Sequence, residues 1–360
     1  MKRPFLFFFA ALALFVPGCK DSDAPNIAPA NLTIETNIAS DGSGLVTFHA
    51  TADHANTFKF YFGEDPNDPF TSEDGTATHN YLSSGTYSAR VVAFSPDNLS
   101  TEKIATINVH VNEPSISSAG YSTPESYPGM TLIWHDEFVG DELNTDDWNY
   151  ETGPFNNELQ YYQKQNTIIQ DGYLFIKAKK ETKGGMDYTS SRLTTEGKMD
   201  FKYGRVDIRA MAPKTQGLFP ALWMLGSTFS TIDWPRCGEI DIMETICGGG
   251  RDSVVYGTAH WALADGTHVS YGGDRGLTNG QLLGDQFHVY TIKWTSTEIK
   301  WYIDDVQYHI IDITPSELSE LKGEFFFIFN VAVGGEWAGN PDASTVFPQR
   351  MAVDYIRVFQ

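Results

Sequence analysis

Three carboxylates fall within the six residues from Glu239 to Glu244, in the run Gly238-Glu239-Ile240-Asp241-Ile242-Met243-Glu244. The residues between them are Ile and Met, which belong in an interior. Crowded carboxylates cannot all ionise cheaply, so such a group holds a proton near neutral pH and offers an acid beside a nucleophile. That pairing suits cleavage of a glycosidic bond with retention of configuration, in which one carboxylate attacks and another protonates the leaving oxygen. An acidic strand edge or a cation cluster is the plainer alternative. The spacing poses a geometric problem: a regular strand puts Glu239 and Asp241 on one face and turns Glu244 to the other. A β-bulge with its extra residue at Ile242 or Met243 restores the parity and leaves Ile240 pointing into a core.

The elements around this run must supply a sheet. Tyr173 to Ala178, Gly204 to Ala210, Phe287 to Trp294, Ile299 to Ile303, Phe325 to Val331 and Met351 to Phe359 are all strand-like, and no long helical period competes. Val206, Ile208 and Ala210 alternate with Arg205, Asp207 and Arg209, as in a half-buried antiparallel strand. The expected fold class is therefore all-β, with two stacked curved sheets of jelly-roll, concanavalin-like type over residues 128–360. Upstream, residues 25–111 form short alternating runs separated by Asp, Asn, Gly and Ser, which predicts a smaller β-sandwich. Residues 112–127 carry Pro114 and Pro124 without an apolar period and are expected to be a linker.

The chain has 360 residues and a formal net charge of -21, which repels polyphosphates and argues against nucleic acid as a partner. Met1-Lys2-Arg3 followed by the apolar run from Phe5 to Val16 predicts a signal peptide over residues 1–18. Val16-Pro17-Gly18-Cys19 resembles a bacterial lipobox, which implies lipidation at Cys19. The following Lys20-Asp21-Ser22-Asp23 resembles the acidic export signal of surface lipoproteins. The expected location is the outer membrane or cell surface of a Gram-negative bacterium, with the membrane touched only through the anchor. A monomer is expected. Strand geometry of about 3.3 Å per residue puts Cys237 and Cys247 roughly 25–33 Å apart, far beyond disulfide reach, so both are expected as buried thiols.

Residues 130–360 resemble glycoside hydrolase family 16. Its Glu-x-Asp-x-x-Glu signature is matched at 239–244, and Trp134 to Phe138, Asn156 to Tyr162, Tyr188 to Arg192, Pro220 to Leu225 and Val353 to Val358 extend the resemblance. Asn157 to Tyr161 and Trp234 to Gly238 look most like laminarinases, which implies internal cleavage of β-1,3-glucan, with mixed-linkage β-1,3-1,4-glucan as a second substrate. A same-fold hydrolase of an algal galactan and a non-catalytic surface glycan-binding lipoprotein are the competing readings.

The resemblance implies Glu239 as nucleophile, Glu244 as acid/base and Asp241 as the residue tuning the nucleophile. It implies substrate contacts from Asn157, Arg192, Trp223, Trp234 and Trp337, and from His260 at the place of a histidine close to the acid/base. It implies no catalytic cofactor, and a structural calcium on the convex side at Glu137, Gly172 and Asp354. Phe60-Tyr61-Phe62-Gly63, Thr78 to Tyr81 and Gly85-Thr86-Tyr87 resemble an immunoglobulin-like domain of the polycystic-kidney-disease type.

Overall fold

The computed structural model describes residues 27–64, 69–81, 84–112, 114–278 and 280–360, so the signal segment and Cys19 lie outside the described residues. The chain divides into two compact units, Met1–Val111 and Asn112–Gln360. Among the described residues the only helices are two 3-10 segments, Lys164–Asn166 and Ser316–Lys322.

The first unit has a sheet of Ala30–Ile38, Leu45–Asp53 and Thr76–Asn80, and a second of Phe70–Ser72, Thr57–Tyr61, Gly85–Phe94 and Ser100–Val109. Alternation decides its interior. Val46, Phe48, Phe58, Phe60, Ala89, Val91 and Tyr81 form one buried cluster, while the residues between them along each strand stay polar. The Tyr81 hydroxyl reaches back to the Phe62 carbonyl at 2.8 Å, so the ring is buried without orphaning its polar end.

The second unit stacks two eight-stranded sheets. The back sheet runs Thr167–Gln170, Tyr173–Ala178, Gln349–Phe359, Gly204–Met211, His288–Trp294, Glu298–Ile303 and Val306–Asp312, with Leu132–Asp136 also on Gln349–Phe359. The site sheet runs His268–Gly276, Val254–Ala262, Glu239–Glu244, Leu218–Gly226, Phe325–Val333, Arg192–Thr194 and Asn149–Glu151, with Asp200–Phe201 also on Phe325–Val333. Every pairing in both sheets is antiparallel. Between them lies one core in which Leu222, Met224, Ile240, Phe327 and Phe329 meet Val206, Ile208, Ile292, Trp294 and Trp301. Each large ring buried there contributes on the order of 3 kcal/mol. Because successive strand residues face opposite ways, the same pattern that fills this core delivers Trp223, Asn330, His260 and the carboxylates to the far face of the site sheet.

Residues 112–127, the expected linker, lie along the second unit. Tyr121 and Phe287 form a backbone bond at 3.0 Å, and Phe287 bonds the Ala119 carbonyl at 3.0 Å. Arg209 donates to the carbonyls of Ser118 and Tyr121 at 2.6 Å each. Arg357 donates to the Thr123 carbonyl at 3.1 Å, and the Tyr127 hydroxyl donates to Asp207 at 2.7 Å. Buried arginines anchor this segment through its carbonyls, which requires no apolar period.

Candidate active site

The acid strand, Glu239–Glu244, carries the predicted bulge. Against Leu218–Gly226 its register runs Leu225 to Glu239 and Trp223 to Asp241, then shifts so that Leu222 faces Met243 and Ala221 faces Glu244, leaving Ile242 without a partner. On the other side Asp241 faces Thr258 and Glu244 faces Tyr256, again with one residue too many. Ile240, Ile242 and Met243 all enter the core. Parity thereby returns, and Glu239, Asp241 and Glu244 share the outer face. Gly238 leads into the strand at φ +80, where an added Cβ would lie 3.1 Å from the Phe325 ring, so the chain turns there only with glycine.

At the Glu239 end the carboxylates are surrounded by donors. His260 Nε2 lies 2.9 Å from Asp241 Oδ2 and 3.6 Å from Glu239 Oε1. Asp241 is 1 % exposed and shares a hydrogen bond with Glu239. The Trp301 indole, rising from the back sheet, donates to the Asp241 carbonyl at 2.7 Å and pins the strand from below. Burial and the Asp241 charge push the Glu239 carboxyl up, while His260, a hydrogen bond from Trp234 and the Arg192 charge pull it back. Burial pushes Asp241 up as well. Burial lowers His260 below the usual imidazole value, so it is neutral at pH 7.

The Glu244 end differs. Burial, then the charges of Asp241 and Glu239, raise Glu244 well above the usual carboxyl range. Around it stand aromatic rings: Tyr256 directly opposite, and Trp337 edge-on to Tyr256 at 5.1 Å and to Phe219 at 5.2 Å. A carboxyl with two like charges beside it keeps its proton.

The structure brings most of the predicted residues to this face. Trp223 is held by its indole N–H on Asn330 Oδ1 at 2.8 Å and by the Arg192 guanidinium 4.9 Å over its ring. Arg192 itself pairs with Glu151. Trp234 and Trp337 are both 43 % exposed, a flat surface open to solvent. His260 corrects the expectation of a place close to Glu244: its position opposite Glu239 sets it against Asp241 and Glu239 instead. Asn157 is exposed in a left-handed turn at φ +55. Its neighbour Glu158 is the residue that reaches inward, accepting from Gln160 at 2.7 Å and from the Tyr162 hydroxyl at 3.4 Å, which in turn accepts from Asn330. Glu151, Asn330, Trp301, Tyr256, Phe219 and His268 support the site but are not among the residues expected there, and Glu158 lies inside the Asn156 to Tyr162 motif without being singled out. Cys237 and Cys247 are both buried free thiols.

The family-implied calcium ligands lie together at one edge of Gln349–Phe359. That strand pairs Val353 with Leu174 and Ile356 with Asp136, so Asp354 falls between the two partner strands, with Gly172 and Glu137 at their facing ends. Two carboxylates and a carbonyl are hard oxygen donors of the right chemistry. Both acids carry a guanidinium, however: Arg357 donates to both oxygens of Glu137 at 2.7 and 2.8 Å, and Arg209 donates to Asp354 at 2.5 Å.

Three carboxylates of unequal surroundings, gathered on one face of a β-sandwich beside exposed aromatic rings, define a carboxylate-dependent glycoside hydrolase. Such an enzyme needs no catalytic cofactor. The chain belongs to the glycosyl hydrolases family 16, whose pattern matches residues 155–357, more than half of its length. It is 37% identical over 267 residues to a beta-glucanase of Rhodothermus marinus, covering 68% of this chain and 90% of that one. It is also 37% identical over 273 residues to the glucan endo-1,3-beta-glucosidase A1 of Niallia circulans, covering 68% of this chain but only 40% of that longer protein. In structure it resembles the laminarinase catalytic domain of Thermotoga maritima, with a TM-score of 0.58 and 41% identity over 64% of this chain and 98% of that one.

Proposed function

We propose that this protein cuts β-1,3-glucan of the laminarin type internally, with retention of configuration, and accepts mixed-linkage β-1,3-1,4-glucan as a second substrate. The observation that carries the reading is the bulge at Ile242, which aligns Glu239 and Glu244 on one face, where His260, Trp234 and Arg192 act to lower Glu239 alone. In the first step Glu244 gives its proton to the glycosidic oxygen as the bond to the anomeric carbon breaks. Glu239 attacks that carbon from the other side and forms a glycosyl ester. Water, deprotonated by Glu244, then attacks the same carbon and releases Glu239. Asp241 steadies the nucleophile, and Trp223, Trp234 and Trp337 offer ring faces to pyranose C–H surfaces. Proton NMR of laminarin digestion tests this: newly released β-anomer supports it, and initial release of α-anomer or no cleavage of either glucan sinks it.

Residues 25–111 fit an immunoglobulin-like spacer of the polycystic-kidney-disease type, supported by the motifs around Tyr61, His79 and Tyr87 and by the two small sheets of that unit. The N-terminal residues support a lipoprotein anchored through Cys19 at the surface of a Gram-negative cell, acting as a monomer on polysaccharide. Calcium at Glu137, Gly172 and Asp354 has the support of its donor chemistry, with Asp354 Oδ1 left open by the Arg209 bond to Oδ2. It would brace the edge of the back sheet and take no part in the reaction.

A further inference from the structure

His268 stands outside every motif, yet its Nε2 lies 2.8 Å from His260 Nδ1, and its ring packs 4.5 Å from that of Trp234. The hairpin explains the approach. His260 faces Ser270 across Val254–Ala262 and His268–Gly276, so His268 is its diagonal neighbour on the same face. Three groups are thereby linked in order, His268, His260 and Asp241, with Glu239 Oε1 3.6 Å from the same His260 nitrogen.

We propose that His268 is a positioning residue: by donating to His260 it fixes the imidazole tautomer whose Nε2–H faces Asp241 and Glu239. The inference rests on the reading of Glu239 as nucleophile. A neutral imidazole carries one N–H. With His268 donating to Nδ1, that N–H sits on Nε2 and donates to Asp241 Oδ2. The same nitrogen lies 3.6 Å from Glu239 Oε1, so its N–H also faces the attacking carboxylate. With the other tautomer, the Nε2 lone pair faces Asp241 and Glu239 and disfavours their ionised forms.

The groups facing the two histidines are few. Asp241 and Glu239 face His260 from the acid strand, and Trp234 lies over both rings from the preceding loop. Arg236 and Asp265 serve the hairpin turn, bonding the Ala264 carbonyl and the Thr267 amide. Trp234, which also bonds Glu239, covers His268, so a sugar stacked on Trp234 would close the chain off from water.

The test pairs His268→Phe, which keeps a flat ring beneath Trp234, with His268→Gln, whose amide can still donate. Nitrogen-15 NMR of the histidine side chains in the full chain, without substrate, reads the tautomer directly. The expected result is an Nε2-protonated His260 in the native and Gln proteins and a changed or mixed tautomer in the Phe protein. With laminarin, kcat of His268→Phe should fall by up to about tenfold, as loss of one net hydrogen bond predicts, with KM little changed and the acidic limb of the pH profile moved. Recovery in His268→Gln supports the positioning role. An unchanged His260 tautomer and pH profile in His268→Phe overturns it. Failure of the native protein to cut laminarin would defeat the glucanase reading alone, because the tautomer is read without substrate.

Discussion

Glu239 and Glu244 are the same residue type on the same strand, and burial and neighbouring carboxylates raise both, but the two ends of that strand oppose that rise unequally. Burial and the Asp241 charge raise Glu239, and a histidine, an indole donor and an arginine charge act against that rise. Glu244 has only burial and the repulsion of its two neighbours, all of which favour the proton. The comparison teaches that residue type does not assign the roles here. The roles come from what neighbouring strands and loops bring to each end: His260, Trp234 and Arg192 to one, Tyr256, Phe219 and Trp337 to the other.

The sharpest way to break the comparison is to remove each carboxylate in turn. Glu239→Ser should lower kcat/KM by on the order of 10⁴-fold or more on laminarin, and equally on an aryl glycoside with a good leaving group. Glu244→Gln should be severely impaired on laminarin but recover substantially in the first step on the activated aryl glycoside, which needs no acid. Equal losses on both substrates for both variants would erase the distinction between the ends.

A smaller effect sharpens it. The Arg192 charge lowers the pKa of Glu239, so Arg192→Gln should raise that pKa and move the acidic limb of the kcat/KM profile up by as much as about one pH unit. The alkaline limb, set by Glu244, should stay in place.

The smallest effect is on stability. Glu244 has a folded pKa above its unfolded value near 4.5, so the folded state holds more protons between those two values. Its contribution is therefore full below about pH 4.5 and is lost as pH rises through the folded value. Glu244→Gln should raise Tm at pH 7 relative to the native protein, and the gain should vanish at pH 4. A native Tm at both pH values would show that burial of this acid carries no strain.

Much of this site could be read from the chain because strand alternation is a local rule. The three acids, the need for a bulge and the inward Ile240 all follow from parity, and the strands Tyr173–Ala178 and Phe325–Val333 from their apolar runs. What alternation cannot give is which residues meet across strands. Glu158, Asn330 and Trp301 are far from Glu239 in sequence and reach the site only through sheet order. His268 had one available signal, the Asp265-Gly266 turn that makes 254–276 a hairpin and sets it diagonal to His260. The segment 112–127 was opaque for another reason: carbonyl-to-arginine bonds leave no trace in hydrophobic periodicity.

The central claim is that Glu239 forms the covalent bond to sugar, and trapping tests it most directly. A 2-deoxy-2-fluoro laminaribioside with a good leaving group forms the glycosyl ester but hydrolyses it slowly, and peptide mass spectrometry then locates the label. The account predicts one adduct, on the peptide containing Glu239 and specifically on that side chain. An adduct on Glu244 or Asp241, or turnover of the substrate with no adduct under conditions that trap related retaining enzymes, would contradict it.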